Sequence, residues 1–299
     1  MDRQKVLAIV GPTGIGKTSL SVWLAKQLDG EIISCDSMQV YKKMDIGTAK
    51  VTREEMQGIH HELIDVQNYN EPYNVKVFQE KCRTAIEDVV KRGKFPILCG
   101  GTGLYLKAAL YDYEFQEENE DIAYTTFLNS KTNEELVAML KEKDEKALEK
   151  IHPNNRKRLI RALQICHSGT SKSEQEDKQQ HIPLYDVYFL GLDVNRDILH
   201  DRINKRVDIM FENGLVKEVE DLFTNPETWE YTSFQGIGYK EFKDYFLKEK
   251  SIDEVKTAIK THSRQYAKRQ YTWFKNQMPV HWFEAQNRDE IYSAVKERH

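Results

Sequence analysis

The sequence predicts an α/β protein: a parallel sheet core interrupted by a helical insertion and completed by a mainly helical C-terminal part. Three observations predict it. Short β-branched runs alternate with helix-like segments as far as Leu110, a glycine-rich turn joins the first such run to the first helical segment, and the pattern breaks after Tyr113 before a strand returns at Asp186. Strand, crossover and strand in that order build a parallel sheet with helices on its faces.

Taken in order, Val6 to Val10 reads as a buried strand, Thr18 to Leu28 as a helix, Glu31 to Cys35 as a second strand and Asn74 to Arg92 as a long amphipathic helix. Phe95 to Cys99 is a third strand that runs into Gly100-Gly-Thr-Gly103 and a helical Leu104 to Leu110. Composition then changes: Glu114, Glu117, Glu118, Glu120 and Asp121 fall close together, followed by helical patterns from Asn133 to Lys150 and from Asn154 to His167. Ser171 to Gln180 contains no apolar residue and is expected to be a mobile loop. A strand returns at Asp186 to Leu192, helical sequence dominates from Asn195, and Val280 to Phe283 closes the chain's strands. Residues 1–113 with 185–299 are therefore expected to form the core and 114–184 the insertion.

The 299 residues suit one large domain or two ordinary ones, taking about 150 residues per domain. With 39% apolar and 31% charged residues, collagen-like and wholly disordered chains are excluded. No apolar run reaches the roughly 18 residues of a membrane span, and the N-terminus has no secretory h-region, so a cytoplasmic protein without membrane contact is expected. Cys35, Cys82, Cys99 and Cys166 are scattered and form no C-x-x-C pair, which fits reduced thiols better than disulfides or a zinc site. Nothing calls for an obligate protein partner, and a monomer is expected.

Gly11-Pro12-Thr13-Gly14-Ile15-Gly16-Lys17-Thr18 matches G-x-x-x-x-G-K-[ST] between an expected strand and an expected helix. In that context the core is P-loop NTPase-like. Glycines let backbone N–H groups curl round an anion, the helix N-terminus adds partial positive charge and Lys17 a full one, while the Thr18 hydroxyl would ligate Mg²⁺. Nucleotide hydrolases of this class also carry a strand ending in an Asp that helps hold magnesium. Here the strand from Phe95 ends in glycines and Thr102, which speaks against routine hydrolysis. Thr102 is a candidate second anion contact or part of a tight strand-to-helix turn.

The second strand runs into Asp36-Ser37-Met38-Gln39. Strand C-termini in such sheets face the ligand crevice, so Asp36 is a candidate general base, a group near the magnesium, or a helix cap. Arg202 and Arg206, four apart, share one face of a helix expected from Asn195 to Asn213 and on that ground alone need be no more than solvated charges.

The net charge of −4, from 44 basic and 48 acidic residues, argues against wholesale nucleic-acid binding. Its distribution changes that reading. Val255 to Phe283 contains Lys256, Lys260, Arg264, Lys268, Arg269 and Lys275 and no acid, and the first four recur every four residues, a stripe suited to a phosphodiester backbone. Arg156-Lys157-Arg158 with Arg161 forms a second basic knot, with a solvated helix face as the alternative.

Together these motifs resemble the tRNA dimethylallyltransferases, or tRNA isopentenyltransferases, of bacterial type. The likeness rests on Gly11 to Thr18, on Asp36-Ser-Met-Gln-Val-Tyr-Lys-Lys-Met-Asp-Ile-Gly-Thr-Ala-Lys50, on His60-His-Glu-Leu-Ile-Asp65 and on Gly100-Gly-Thr-Gly-Leu-Tyr105. It continues through Ile151-His-Pro-Asn-Asn-Arg-Lys-Arg-Leu-Ile-Arg-Ala-Leu163, Gly236-Ile-Gly-Tyr-Lys240 and Arg264-Gln-Tyr-Ala-Lys-Arg-Gln-Tyr-Thr-Trp-Phe274.

The resemblance implies transfer of the dimethylallyl group from dimethylallyl diphosphate to N6 of adenosine 37 in tRNAs reading codons that start with U, releasing diphosphate. Lys17, Thr18, Thr102, Mg²⁺ and Arg202 or Arg206 would then stabilise the diphosphate, and Asp36 would take a proton or hydrogen bond from the amine. Asp36, Ser37, Met38, Gln39 and Thr102 would meet the extruded base, Gln235, Gly236, Ile237, Gly238, Tyr239 and Lys240 would line the tRNA side, and Arg158 and Arg161 would serve an insertion that clamps the anticodon stem. Where some relatives carry a basic tRNA contact, this chain reads Asp121-Ile-Ala-Tyr-Thr125. An adenylate dimethylallyltransferase or a small-molecule kinase would share the phosphate loop, and a noncatalytic tRNA-binding module would need neither Lys17 nor Asp36.

Overall fold

In the computed structural model, which describes residues 3–115, 121–174 and 181–298, β1 (Lys5–Val10) buries both of its faces. Val6, Ala8 and Val10 enter one apolar cluster and Leu7 and Ile9 another. A strand of period two needs this pattern when helices cover both sides of its sheet. Each fully buried Val, Leu or Ile contributes about 1.5–3 kcal/mol.

The elements follow as α1 (Lys17–Gln27), β2 (Gly30–Ser34), a single turn α2 (Arg53–Met56), β3 (His61–Glu62), α3 (Val75–Lys91), β4 (Phe95–Gly100) and α4 (Gly103–Leu110). After the insertion come β5 (Asp186–Asp193) and the C-terminal elements. Among the described residues these strands form one parallel sheet in the order β3-β2-β4-β1-β5-β6, where β6 is His281–Glu284. The edge strand β3 escapes sequence reading because two residues carry no period. Helix ends follow local chemistry: the Asn74 side chain accepts the Val77 N–H to start α3, and Gly93, at φ 73°, lets the chain turn away after it.

The chain divides into two compact units, residues 1–111 with 183–299 and residues 112–182. In the second unit α5 (Ile122–Asn129), α6 (Asn133–Asp144) and α7 (Arg156–His167) close over Leu128, Leu136, Leu140, Leu159 and Leu163. The helix expected to run from Asn133 to Lys150 stops at Asp144. Its carboxylate accepts the Ala147 N–H at 3.2 Å, which starts a 3-10 turn, Glu145–Glu149, instead. Asp144 also accepts both the N–H and the hydroxyl of Ser173, so the start of the expected loop is tied down. The rest of that segment, 175–180, lies outside the described residues, as do Glu117, Glu118 and Glu120.

In the first unit, α8 (Arg196–Glu212) and α9 (Leu215–Leu222) are followed by 3-10 turns at Pro226–Glu230, Thr232–Gln235 and Lys240–Phe242. Pro226 and Gly238, the latter at φ 99°, interrupt the mainly helical pattern expected from Asn195 onward. After α10 (Lys243–Phe246), the Ser251–Glu254 capping box starts α11 (Ile252–Gln277), and α12 (Arg288–Lys296) follows β6 and returns Ile291 and Val295 to the core. All four cysteines are free thiols. Among the described residues no helix is long and apolar enough to cross a membrane.

Candidate active site

Parallel pairing brings three strand ends to one edge. Val10 lies opposite Gly100, Ser34 opposite Cys99, and the Cys35 N–H donates to the Cys99 carbonyl at 2.8 Å. Gly11, Asp36 and the Gly101–Thr102 turn therefore leave the sheet side by side. The chain places β2 and β4 on one side of β1 and β5 on the other, and a parallel sheet opens its ligand crevice where the order reverses.

Gly14 and Gly16 hold φ of 81° and 103°, and a Cβ on Gly14 would lie 2.9 Å from Ile203 Cγ1, so the loop passes close under α8 only as glycine. Pro12 and Ile15 are buried beneath it. The Lys17 ammonium donates to the Gly11 and Pro12 carbonyls at 3.0 and 2.9 Å. Burial lowers its pKa to about 8, against the nearby Cys99 and Asp36, which raise it, while Arg206 lowers it further. Thr18 stands exposed on the first turn of α1.

Arg206 reaches the centre of this cradle and Arg202 its rim. The Arg206 guanidinium donates to the Thr13 hydroxyl at 3.1 Å; burial lowers its pKa and the Asp36 charge opposes that shift. Arg202 touches the Ile15 carbonyl at 3.4 Å and, with Gly14 and Gly16 of the loop itself, lines a cleft of about 790 Å³ that extends to Asp193, Asn195 and Arg288.

Asp36 uses Oδ1 as a cap, accepting the Met38 and Gln39 N–H groups at 2.8 and 3.2 Å. Its charge raises the pKa of Lys17, Arg206, Tyr105 and Tyr266, so the carboxylate faces the cradle while it holds its own turn. Thr102 occupies the N-cap position of α4 without a side-chain capping bond, and its hydroxyl is turned instead to the Tyr266 hydroxyl. The Thr18 hydroxyl and the Asp36 carboxylate are hard oxygen donors of the kind Mg²⁺ prefers. The cluster Glu31, His60 and Glu62 is a poorer fit for an ion, since the Arg92 guanidinium already bridges its two carboxylates at 2.6 and 2.9 Å.

Sequence reasoning missed Gln270, whose side chain bonds the Thr13 N–H and the Gly101 carbonyl, each at 2.9 Å, and Tyr266, whose hydroxyl lies beside Thr102 and Gln270. The glycines of the Gly100 to Gly103 turn were the available signal. A Cβ on Gly101 would meet Gln270 at 2.1 Å and one on Gly103 would meet the Trp273 ring at 2.0 Å, so the turn is glycine where α11 presses on it.

The expected acceptor side is partly assembled. Met38 packs on Gly236, where a Cβ would lie 2.3 Å from its Cε, and the Gln39 amide holds the following loop through the Ala49 carbonyl at 3.0 Å. Ser37 adjoins them, half-buried. Gln235 and Lys240 are exposed, Ile237 is half-buried, and the Gly238 N–H is taken by Glu241 at 2.9 Å. Tyr239 corrects the expectation: it is fully buried and donates to Glu218 at 2.7 Å, so it builds the wall from behind and lines no RNA surface. Arg158 and Arg161 lie exposed on α7 of the second unit.

The expected basic stripe on α11 is also corrected. Lys256 and Lys260 both pair with Asp208 of α8 at 2.7 Å, and Arg264 donates to Asn204 at 2.5 Å. The four-residue period arises because this face packs on α8. Lys268 and Arg269, by contrast, are exposed and line a shallow groove with Gln265, Trp273 and Asn276.

Known proteins resemble this chain over most of its length. A profile described as IPP transferase matches residues 39–277. A tRNA dimethylallyltransferase of Bacillus anthracis is 50% identical over 289 residues, covering 95% of this chain and 92% of its own. The crystal structure of a full-length tRNA isopentenylpyrophosphate transferase from Bacillus halodurans superposes with a TM-score of 0.76 at 41% identity, covering 99% of this chain and 97% of that one. A eukaryotic dimethylallyltransferase acting on tRNA gives 0.83 at 32% identity, over 99% of this chain and 77% of that one. With a phosphate loop, a strand-end aspartate and a glycine turn arranged as above, and with likeness over nearly its full length, the chain belongs to the IPP transferase family of tRNA dimethylallyltransferases.

Proposed function

We propose that this enzyme, a tRNA prenyltransferase, moves the dimethylallyl group of dimethylallyl diphosphate to N6 of adenosine 37 in tRNAs reading codons that start with U. The observation that carries this reading is the placement of the Asp36 carboxylate within electrostatic reach of Lys17 and Arg206, at the mouth of a phosphate loop whose neighbouring strand ends in Gly100-Gly101-Thr102. Two cations beside the phosphate loop suit a departing diphosphate, and the nearby carboxylate suits an arriving amine.

In the reaction the C–O bond to the diphosphate breaks and an N6–C bond forms. Lys17 and Arg206 neutralise the charge that gathers on the departing oxygen, aided by loop N–H groups and the Thr102 hydroxyl. Arg206 suits this role better than Arg202 because it is half-buried against Thr13 while Arg202 is exposed. When bound beside Thr18 and the diphosphate, a magnesium ion supplies further positive charge to the leaving group. The amine's surplus proton passes to Asp36, which its Oδ1 hydrogen bonds hold in place.

Adenosine 37 must leave the anticodon-loop stack for its amine to reach this depth. Asp36, Ser37, Met38, Gln39 and Thr102 meet it from the cradle side, and Gln235 to Ile237 with Lys240 from the other. Lys268 and Arg269 hold phosphates nearby, Arg158 and Arg161 give the insertion its grip on the anticodon stem, and the enzyme works in the cytoplasm as a monomer. Incubation with labelled dimethylallyl diphosphate, ATP, AMP and unmodified tRNA tests the reading. Label is expected in tRNA alone; transfer to AMP, or phosphorylation of a small molecule from ATP, contradicts it.

A further inference from the structure

The side-chain amide of Gln270 is the one group, among the described residues, hydrogen-bonded to both turns of the cradle. Its Oε1 accepts the Thr13 N–H and its Nε2 donates to the Gly101 carbonyl, both at 2.9 Å. Gln270 is 6% exposed, so water competes little for either bond. Only one orientation of the amide satisfies donor and acceptor together. The turn makes room for it, since Gly101 has no Cβ where Nε2 passes. Thr13 is gripped on its other side by Arg206, and Thr102 by the neighbourhood of Tyr266, one turn earlier on α11 than Gln270.

We propose that Gln270 is a positioning residue that fixes the gap between the phosphate loop at Thr13 and the Gly101–Thr102 turn, so that Lys17 and Arg206 on one side and Thr102 on the other close on a single diphosphate. It touches no reacting atom. An amide performs this task where the other side chains fail: Glu lacks the donor when ionised, Met lacks both groups, and Asn is one methylene short of the Gly101 carbonyl. The inference rests on the reading of these two turns as the diphosphate site.

The full chain tests it in two variants. In Gln270→Met the affinity for inorganic diphosphate, measured by calorimetry, is expected to fall about ten- to a hundredfold, about the effect of two lost buried hydrogen bonds, together with kcat. Affinity for unmodified tRNA should stay within about twofold of wild type. Gln270→Glu distinguishes positioning from packing. Its ionised carboxylate keeps the acceptor for Thr13 but repels the Gly101 carbonyl, whereas its protonated form restores one donor and one acceptor. The ratio of its kcat/KM to that of wild type is therefore expected to climb as pH is lowered from 8 to 6; a flat ratio overturns the proposal, even if Gln270→Met does not fold. Wild-type protein that fails to bind diphosphate overturns the site itself, while equal diphosphate binding by wild type and Gln270→Met overturns only the role of Gln270.

Discussion

Tyr239 donates its hydroxyl to Oε1 of Glu218 at 2.7 Å, and that same carboxylate accepts the backbone N–H groups of Asp45, Ile46 and Gly47 at 2.9, 2.7 and 3.0 Å. One side chain of α9 thus joins the segment after Gly236 to the loop that follows the Asp36 turn. Gly47 is glycine because a Cβ there would lie 2.6 Å from the Tyr239 ring. Burial and the Glu218 charge together push the Tyr239 hydroxyl well above its ordinary pKa, so it remains a donor throughout the working range.

The first prediction follows from that node. Tyr239→Phe removes one donor to Glu218 and is expected to cost about 1–2 kcal/mol in urea unfolding. Glu218→Ala strands three backbone N–H groups and should cost more, about 2–4 kcal/mol. Equal, near-zero effects would show that the node holds nothing together.

Lys17 predicts a pH dependence. Its pKa is lowered to about 8, and a bound diphosphate favours its charged form, so affinity for dimethylallyl diphosphate should fall as pH rises past about 8. The donor's own last ionisation lies near pH 6 and does not interfere. Stability moves the opposite way. Because burial disfavours the ammonium, the unfolded chain binds the extra proton above pH 8, and Lys17 adds stability as pH climbs from about 8 toward 10.5. Lys17→Met should flatten both trends relative to wild type, as read by calorimetry and by denaturant midpoints.

Asp36 carries two separable tasks. Asp36→Asn keeps an oxygen for the Met38 and Gln39 N–H groups but removes the base, so the fold and tRNA affinity should survive while kcat drops about 10²–10⁴-fold. Asp36→Ala should lose the turn as well, with an additional rise in KM for tRNA. A near wild-type kcat in Asp36→Asn would assign the residue to capping alone.

Phosphate contact on α11 should follow exposure and not period. Lys268→Ala and Arg269→Ala are each expected to weaken tRNA binding and to lower the slope of log affinity against log salt by about 0.7–0.9. Lys256→Ala and Lys260→Ala, whose ammonium groups rest on Asp208, should leave that slope close to wild type.

These cases show what the sequence could reveal. The phosphate loop and the glycine turn were legible because each is a local pattern of apolar strand, glycines and then helix, and Asp36 because it closely follows an apolar strand. The α11 stripe was legible as a period but not as a purpose, because Asp208 lies on another helix and no spacing announces the pairing. Gln270 was invisible for the same reason at greater range, bonding a loop residue 257 positions away. Tyr239 was expected on the tRNA side only as part of the segment Gln235 to Lys240 that the family resemblance brought in, whereas its hydroxyl is held from behind by an acid of α9. Local chemistry can be read from a chain; partners brought together by the fold cannot.

The central claim is the acceptor and its position. Purified enzyme, dimethylallyl diphosphate and magnesium are incubated with an unmodified tRNA carrying adenosines at 36 to 38, and with the same tRNA bearing guanosine at 37, and the digested products are mapped by mass spectrometry. The account predicts one dimethylallyl group on N6 of adenosine 37 in the first tRNA and none in the second. Modification elsewhere, or equal modification of both, would contradict it.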